Sequence, residues 1–361
     1  MRILIVANND IGLYKFRREL VEELVKAHEV HICLPDGEYI EKLTAMGCVY
    51  HPCEFDRHGT NPLAEFKQIS FYKLLLKTVR PDIVFTYTIK PNIYAGMACA
   101  SMKIPYVANI TGLGTAIENG GLMQKFLLVL YKHGLRKAQT VFFQNESNRD
   151  FMLSKGIVKA PVVLLPGSGV NLDEHKAEIY PAAEHPLIFV TIGRIMKDKG
   201  ADEVLYAAKT VRQKYPDTVF RIIGGFDGAY EEQVKKAVDA GDIEYLGQQA
   251  DVHPWLKNAH AIVHASYHEG MSNVLLEAAA CARPMIATDV AGCRETYDNG
   301  VSGIACKARD GDDLVRALEE FIALPHEQKA AMGAAGRHKA EQEFDRMIVV
   351  KQYLAEIQKI Q

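Results

Sequence analysis

The chain has 361 residues, 48% of them apolar, and a formal net charge of −3. It is too long for one ordinary domain, has enough apolar residues for a large core, and lacks the basic excess of a dedicated nucleic-acid binder. Charge is unevenly spread: residues 1–168 hold 20 basic and 15 acidic side chains against 22 and 30 in the remainder, so the first half suits an anionic surface or substrate.

The seven cysteines form no C-x-x-C pair. They read as reduced thiols of a cytosolic protein, neither a disulfide frame nor a zinc cluster. The first apolar run starts at once, without a charged and then apolar leader, and no run reaches about 18 apolar residues. The expected location is the cytoplasm, free or peripheral to a membrane.

In chain order, Arg2 to Ala7 is a continuous apolar run, as expected of a parallel strand buried on both faces. The turn Asn8 to Gly12 and the stripe Leu13, Phe16, Leu20, Leu24 of a helix follow. Strand runs recur at Val30–Leu34, Val49–Cys53, Ile83–Tyr87, Tyr106–Asn109, Val141–Phe143 and Val162–Leu165, with helical patterns between them. Pro166 to Asn171 reads as a hinge, and the polar, proline-marked stretch 169–186 as a linker. The pattern restarts at Leu187–Ile192, Val219–Gly224, Ile243–Leu246, Ala261–His264 and Met285–Ala287, then ends in helices over Asp312–Leu324, Glu327–Glu343 and Arg346–Ile360. The expected architecture is α/β, two Rossmann-like doubly wound domains at 1–168 and 187–343, with a C-terminal helix at 344–361 packing back on the first domain. Ligands of such sheets bind outside the carboxyl ends of the strands, here expected in a cleft between the two domains.

The second half carries the chemistry. In His264 to Glu277, HASYHEGMSNVLLE, a strand end runs into a polar turn and a helix opening at Asn273, where unpaired backbone N–H groups suit an anion. Glu269 and Glu277 flank that start. Taken alone the pair is equally well a loop acid and a solvated helix residue. Gly193, Arg194 and Lys199 follow another strand, and two cations at a strand's carboxyl end mark a phosphate site, with a solvated helix start as the alternative. Gly224-Gly225 permits close backbone approach or is a plain turn.

Together Gly193-Arg194-(x)4-Lys199, Ser266-Tyr-His-Glu269-Gly-(x)6-Glu277-Ala and Arg283-Pro-Met-Ile-Ala-Thr-Asp289-Val-Ala-Gly292 resemble the carboxyl-terminal domain of retaining glycosyltransferases of the GT-B fold, the family 4 enzymes with an E-x7-E signature. The resemblance implies a UDP-sugar donor. It makes Arg194, Lys199 and Glu269 the catalytic set: the cations hold the diphosphate, Glu269 takes donor-sugar hydroxyls and Glu277 the ribose. Gly193, Gly224 and the backbone of Gly270, Met271, Ser272, Asn273 and Val274 complete the donor site. No cofactor is implied.

In the first half, Thr86-Tyr-Thr-Ile-Lys-Pro-Asn92, Thr111-Gly-Leu-Gly114 and Asn145-Glu-Ser-Asn148 resemble the bacterial subgroup that extends glycans on polyprenyl diphosphate. By that resemblance Gly12, Lys90, Thr111, Gly112 and Asn145 form an acceptor side, although Thr111–Gly114 also reads as a tight turn. Many relatives carry histidine where this chain has Thr111, so no histidine role transfers there. Asp310-Gly-Asp312 has the spacing of a metal-binding pair but stands at a helix start, where acids are capping groups, and no metal is expected. Phe66–Arg80 and Leu122–Lys137 combine large apolar side chains with lysine and arginine, which suits an anionic membrane surface or equally a core-facing helix. An isomerase such as a nucleotide-sugar 2-epimerase, or a silent sugar-nucleotide sensor, stays open on the same plan. A dinucleotide-dependent dehydrogenase is disfavoured because Ala7 to Gly12 lacks G-x-G-x-x-G.

Overall fold

The central strands form where apolar residues run with little interruption, because both of their faces meet a hydrophobic layer. The computed structural model describes residues 1–53, 62–114, 117, 120–183 and 186–361, with side chains of 62–66 outside that description. The chain divides into two units, Met1–Ser168 with Arg346–Gln361, and Gly169–Asp345.

In the first unit β1 (Arg2–Val6), β2 (Glu29–Leu34), β3 (Val49–Pro52), β4 (Ile83–Tyr87), β5 (Tyr106–Ile110), β6 (Thr140–Phe143) and β7 (Val162–Leu164) build a parallel sheet in the order β3-β2-β1-β4-β5-β6-β7. Alternation assigns the faces: Leu4 and Val6 enter one apolar layer, Ile3 and Ile5 the other. The helix Arg346–Gln358 belongs to this unit. Its Val349, Val350, Tyr353 and Ile357 join the Ile3 layer, and the Tyr353 ring packs edge-on against Phe85 and Phe142. Arg346 and Glu19 pair at 2.8 Å with both side chains buried, and Glu356 accepts from Thr140 Oγ1 at 2.7 Å.

In the second unit β8 (Ile188–Ile192), β9 (Val219–Ile223), β10 (Glu244–Tyr245), β11 (Ala261–His264), β12 (Met285–Thr288) and β13 (Gly303–Cys306) are parallel in the order β10-β9-β8-β11-β12-β13. Both units are therefore doubly wound, as expected. Two details differ from the sequence reading: β10 is only two residues long, and β13 joins the sheet although GIAC offers no long apolar run. Residues 169–183, read as linker, are part of the second unit. Tyr180 Oη donates to His260 O at 3.0 Å, and the fully buried Arg283 donates to Ile179 O at 2.8 Å.

The winding of the second sheet starts at β8, runs out to β10 and returns to β11 beside β8, so the reversal lies between β8 and β11. That is where a doubly wound sheet leaves an opening beyond its strand ends.

Candidate functional site

Three neighbouring strand ends build the site. After β8 the chain passes Gly193 and Arg194 into the turn Lys197–Lys199, and Gly200, at φ +72°, then opens the helix Ala201–Lys214. A Cβ at Gly200 would stand 2.2 Å from Ala265 O, so only glycine lets the Lys199 turn lie against the loop after β11. The two loops are tied by Tyr267 N donating to Asp198 O at 2.9 Å, and Tyr267 Oη reaches Glu203 at 2.8 Å.

The end of β12 closes the other side. Thr288 Oγ1 donates to Ser266 O, Glu269 N to Ala291 O at 3.3 Å, and Ser272 N to Gly292 O at 2.7 Å. Gly292 has φ +82°, and a Cβ there would meet Glu269 O at 2.6 Å. The loop bearing Glu269 is thus clamped from both flanks.

This clamping brings Lys199 and Glu269 together as an ion pair, with side chains 26% and 16% exposed. His264, the last residue of β11, points its Nε2 at the same carboxylate oxygen at 3.0 Å and lies 3.1 Å from Ser272 Oγ. Ser272 caps the helix Asn273–Ala280 by accepting from Leu275 N at 3.3 Å. Burial pushes the Glu269 carboxyl up, but the hydrogen bond with His264 and the charge of Lys199 outweigh it and leave the group at about 2. Glu269 is a fixed anion, and an anion accepts hydroxyl donors at either oxygen.

The remaining expected donor-site residues fall in three groups. Arg194 is exposed and pairs with Asp227 at 2.5 Å, so it stands at the rim. Glu277 sits half-buried in the helix Asn273–Ala280, one turn past its start. The third group includes residues packed within the fold. Gly224, at φ +151°, would drive a Cβ to 1.7 Å from Gly193 O, so the close approach it permits is to the backbone after β8. Met271 is buried in the apolar layer under the site, and Val274 packs against that layer. Within the stretch Gly270 to Val274, expected to offer backbone donors, the Ser272 N–H donates to Gly292 O.

In the first unit several motif residues make hydrogen bonds within the fold. Thr86 and Asn92 are fully buried: Thr86 Oγ1 donates to Asn92 Oδ1 at 2.7 Å, Asn92 Nδ2 to Asn109 O at 2.8 Å, and Tyr353 Oη to Asn109 Oδ1. Asn145 is buried as the cap of the helix Glu146–Ser154, accepting from Asn148 N at 2.8 Å. Gly12 N donates to the capping Asn9 at 2.6 Å. Lys90, Thr111 and Gly112 are half-buried, the first beside the π-helical turn Pro91–Ala95 and the other two just past β5. Asp310 caps the helix Gly311–Ala323, and Asp312 accepts from Tyr206 Oη at 2.6 Å, which accounts for both acids of that pair.

Sequence reasoning passed over His264, read only as a strand end. Its signal was the position five residues before Glu269, at the mouth of a buried strand.

Comparison with known proteins matches residues 2–145 to the family model described as glycosyl transferase 4-like and residues 173–339 to glycosyl transferases group 1. A Campylobacter jejuni relative, N,N'-diacetylbacillosaminyl-diphospho-undecaprenol alpha-1,3-N-acetylgalactosaminyltransferase, is 27% identical over 98% of this chain and 97% of its own. A second protein of that organism, the 4-alpha-N-acetylgalactosaminyltransferase acting on the N-acetylgalactosamine-bearing carrier, is 22% identical over 90% of each chain. Among solved structures, Anabaena Alr3699/HepE in complex with UDP-glucose matches with a TM-score of 0.81 at 17% identity, covering 99% of both chains.

Proposed function

Since this chain belongs to the group 1 and 4-like glycosyltransferases, we propose that it moves a sugar from a UDP-sugar to a saccharide carried on a polyprenyl diphosphate, with retention of configuration and without a metal. The donor sugar on this reading is an N-acetylated hexosamine or a galactose type. The observation that carries the proposal is the Lys199–Glu269–His264 cluster at the start of the helix Asn273–Ala280. A sugar nucleotide presents a diphosphate and, a few ångströms away, neutral hydroxyls. The cluster offers a cation and a helix start for the first and a carboxylate held ionised for the second. Arg194 adds charge at the rim, and Glu277 is assigned the ribose hydroxyls.

The chemistry follows from those roles. The bond between the sugar's anomeric carbon and the β-phosphate oxygen breaks, the acceptor hydroxyl oxygen bonds to that carbon from the same face, and its proton passes to the departing phosphate. The protein supplies alignment and stabilisation of the leaving UDP by Lys199 and Arg194. The acceptor assignment draws on the Campylobacter relatives, whose names specify undecaprenyl-diphosphate-linked sugars.

Peripheral membrane association is part of the same reading. No helix among the described residues is long and apolar enough to cross a membrane. The helix Gly121–Gly134 instead exposes a stripe of Leu122, Met123, Phe126 and Val129, with Lys125, Lys132, Arg136 and Lys137 around it. The helix Pro62–Val79 exposes Phe71 and Leu74 among Lys67, Lys73 and Lys77, while Tyr72, Leu75 and Leu76 enter the core. The Phe66 end of this stretch lies outside the described side chains. Each helix thus has a buried face and an exposed amphipathic one.

The deciding experiment is a screen of UDP-sugars for UDP release, with and without polyprenyl-diphosphate-linked mono- and disaccharides. Release that requires acceptor and collapses in Lys199→Ala is expected. Conversion of the donor alone would make the protein an isomerase, and unchanged kinetics in Lys199→Ala would overturn the residue roles.

A further inference from the structure

A second cluster stands in the same unit and takes no part in the chemistry above. His175, His253 and Cys281 come from three separate stretches of chain, yet their ligand-type atoms all lie within 4.8 Å of one another. Cys281 Sγ is 3.7 Å from His253 Nδ1 and 4.0 Å from His175 Nδ1. A tetrahedral ion with bonds of about 2.3 Å to sulfur and about 2.0 Å to nitrogen separates such ligands by roughly 3.5 Å. The observed spans are long for thiol–imidazole hydrogen bonds and a few tenths of an ångström from those of shared ligands.

The surroundings hold these atoms in place. His253 Nε2 lies 2.9 Å from Glu178 Oε1, and Glu178 also pairs with Lys257 at 3.2 Å. A proton on Nε2 donated to that carboxylate leaves the Nδ1 lone pair facing the thiol, the arrangement by which carboxylates orient metal-bound histidines. Arg337 Nη1 donates to His175 O and to Ala280 O, 2.7 Å each, fixing the backbone at one ligand and next to another. His175 N in turn donates to Asn171 O at 2.9 Å. Cys281 ends the helix Asn273–Ala280, whose carboxyl terminus carries the negative end of the helix dipole and favours a cation.

We propose that Cys281 Sγ, His175 Nδ1 and His253 Nδ1 bind one divalent first-row cation, zinc by the chemistry of a thiolate with two imidazoles, leaving a fourth position for water. The ion staples the stretch that follows Gly169 to the body of the second unit. Its role is to hold the fold, apart from sugar transfer. The site departs from the expectation of no zinc cluster, which rested on cysteine spacing along the chain, whereas this set is assembled from positions 28 and 106 residues away from Cys281.

The test uses the whole chain, freed of metal by a chelator and dialysed, then titrated with Zn2+ and separately with Co2+. One equivalent bound per chain, a thiolate-to-cobalt charge-transfer band and a higher unfolding temperature with Zn2+ are expected. Cys281→Ser should lose the band and the thermal shift. Glu178→Gln should keep the band while weakening zinc on the order of 10–100-fold. If Cys281→Ser does not fold, His253→Ala, at a half-buried position, carries the same reading through loss of stoichiometric zinc. A wild-type chain with no charge-transfer band, or a band that persists in Cys281→Ser, overturns the site.

Discussion

Replacing Lys199 by methionine keeps most of the length of the unbranched side chain, one heavy atom short, and removes its charge, which tests the electrostatic part of the site. Glu269 titrates at about 2 instead of the usual 4.5. At about 1.4 kcal/mol per unit, that gap represents on the order of 3 kcal/mol favouring the folded chain. His264 and Lys199 share it, and the lysine is about one quarter exposed, so its loss should cost about 1–2 kcal/mol at neutral pH. The pH dependence has a definite sign. Glu269 is more acidic folded than unfolded, so its contribution is complete above about pH 4.5 and is lost as pH falls towards 2. The gap between wild type and variant should therefore be widest above 4.5 and close through that window. Trp255, the single tryptophan, lies in the second unit and reports its unfolding in urea. Equal midpoints at pH 7, or a gap as large at pH 3 as at pH 7, would refute the assignment of Lys199 as the partner that holds Glu269 ionised.

Gly292→Ala places a methyl 2.6 Å from Glu269 O at a left-handed backbone position. Strain of about 1–3 kcal/mol and weakened UDP binding by calorimetry are expected, and unchanged binding would show that the clamp on the Glu269 loop does not matter. Arg346→Met leaves the buried Glu19 without its closest cation. A loss of about 3 kcal/mol in the first unit's stability follows, and a change under ~0.5 kcal/mol in denaturant unfolding would contradict it. Leu122→Asp with Phe126→Asp alters only exposed positions. It should cut co-sedimentation with anionic lipid vesicles at least ~10-fold, and equal co-sedimentation would remove this stripe from any membrane role.

The sheet cores were legible because strands buried on both faces write themselves as unbroken apolar runs, as Arg2–Val6 and Ile83–Tyr87 do. One edge strand escapes that signal: Gly303–Cys306 begins with a glycine whose added Cβ would lie 2.5 Å from Met285 O, whereas the run Ile243–Leu246 reads as a strand and only its length differs, the structure holding Glu244–Tyr245. Lys199 and Glu269 were legible because each follows a buried strand, and parallel pairing of β8 with β11 makes those strand ends neighbours. What sequence cannot separate is a polar residue facing a ligand from one tying backbone segments together. Thr86, Asn92 and Asn145 look alike on paper to Lys90 and Thr111, yet the first three are buried in hydrogen bonds within the fold. Nor does local spacing reveal the histidine–cysteine cluster, since its members meet only through tertiary packing.

The last helix, Arg346–Gln358, contributes Tyr353 to the middle of the first unit's core. The second unit is in effect an insertion within the first, lying between Ser168 and Arg346 of the chain. A ribosome therefore delivers every residue of the inner module before it delivers the final piece of the outer one. The amino-terminal sheet must wait through the synthesis of residues 169–345 with Phe85 and Phe142 lacking the ring that covers them. Truncation near the carboxyl terminus would consequently injure the part of the protein made first.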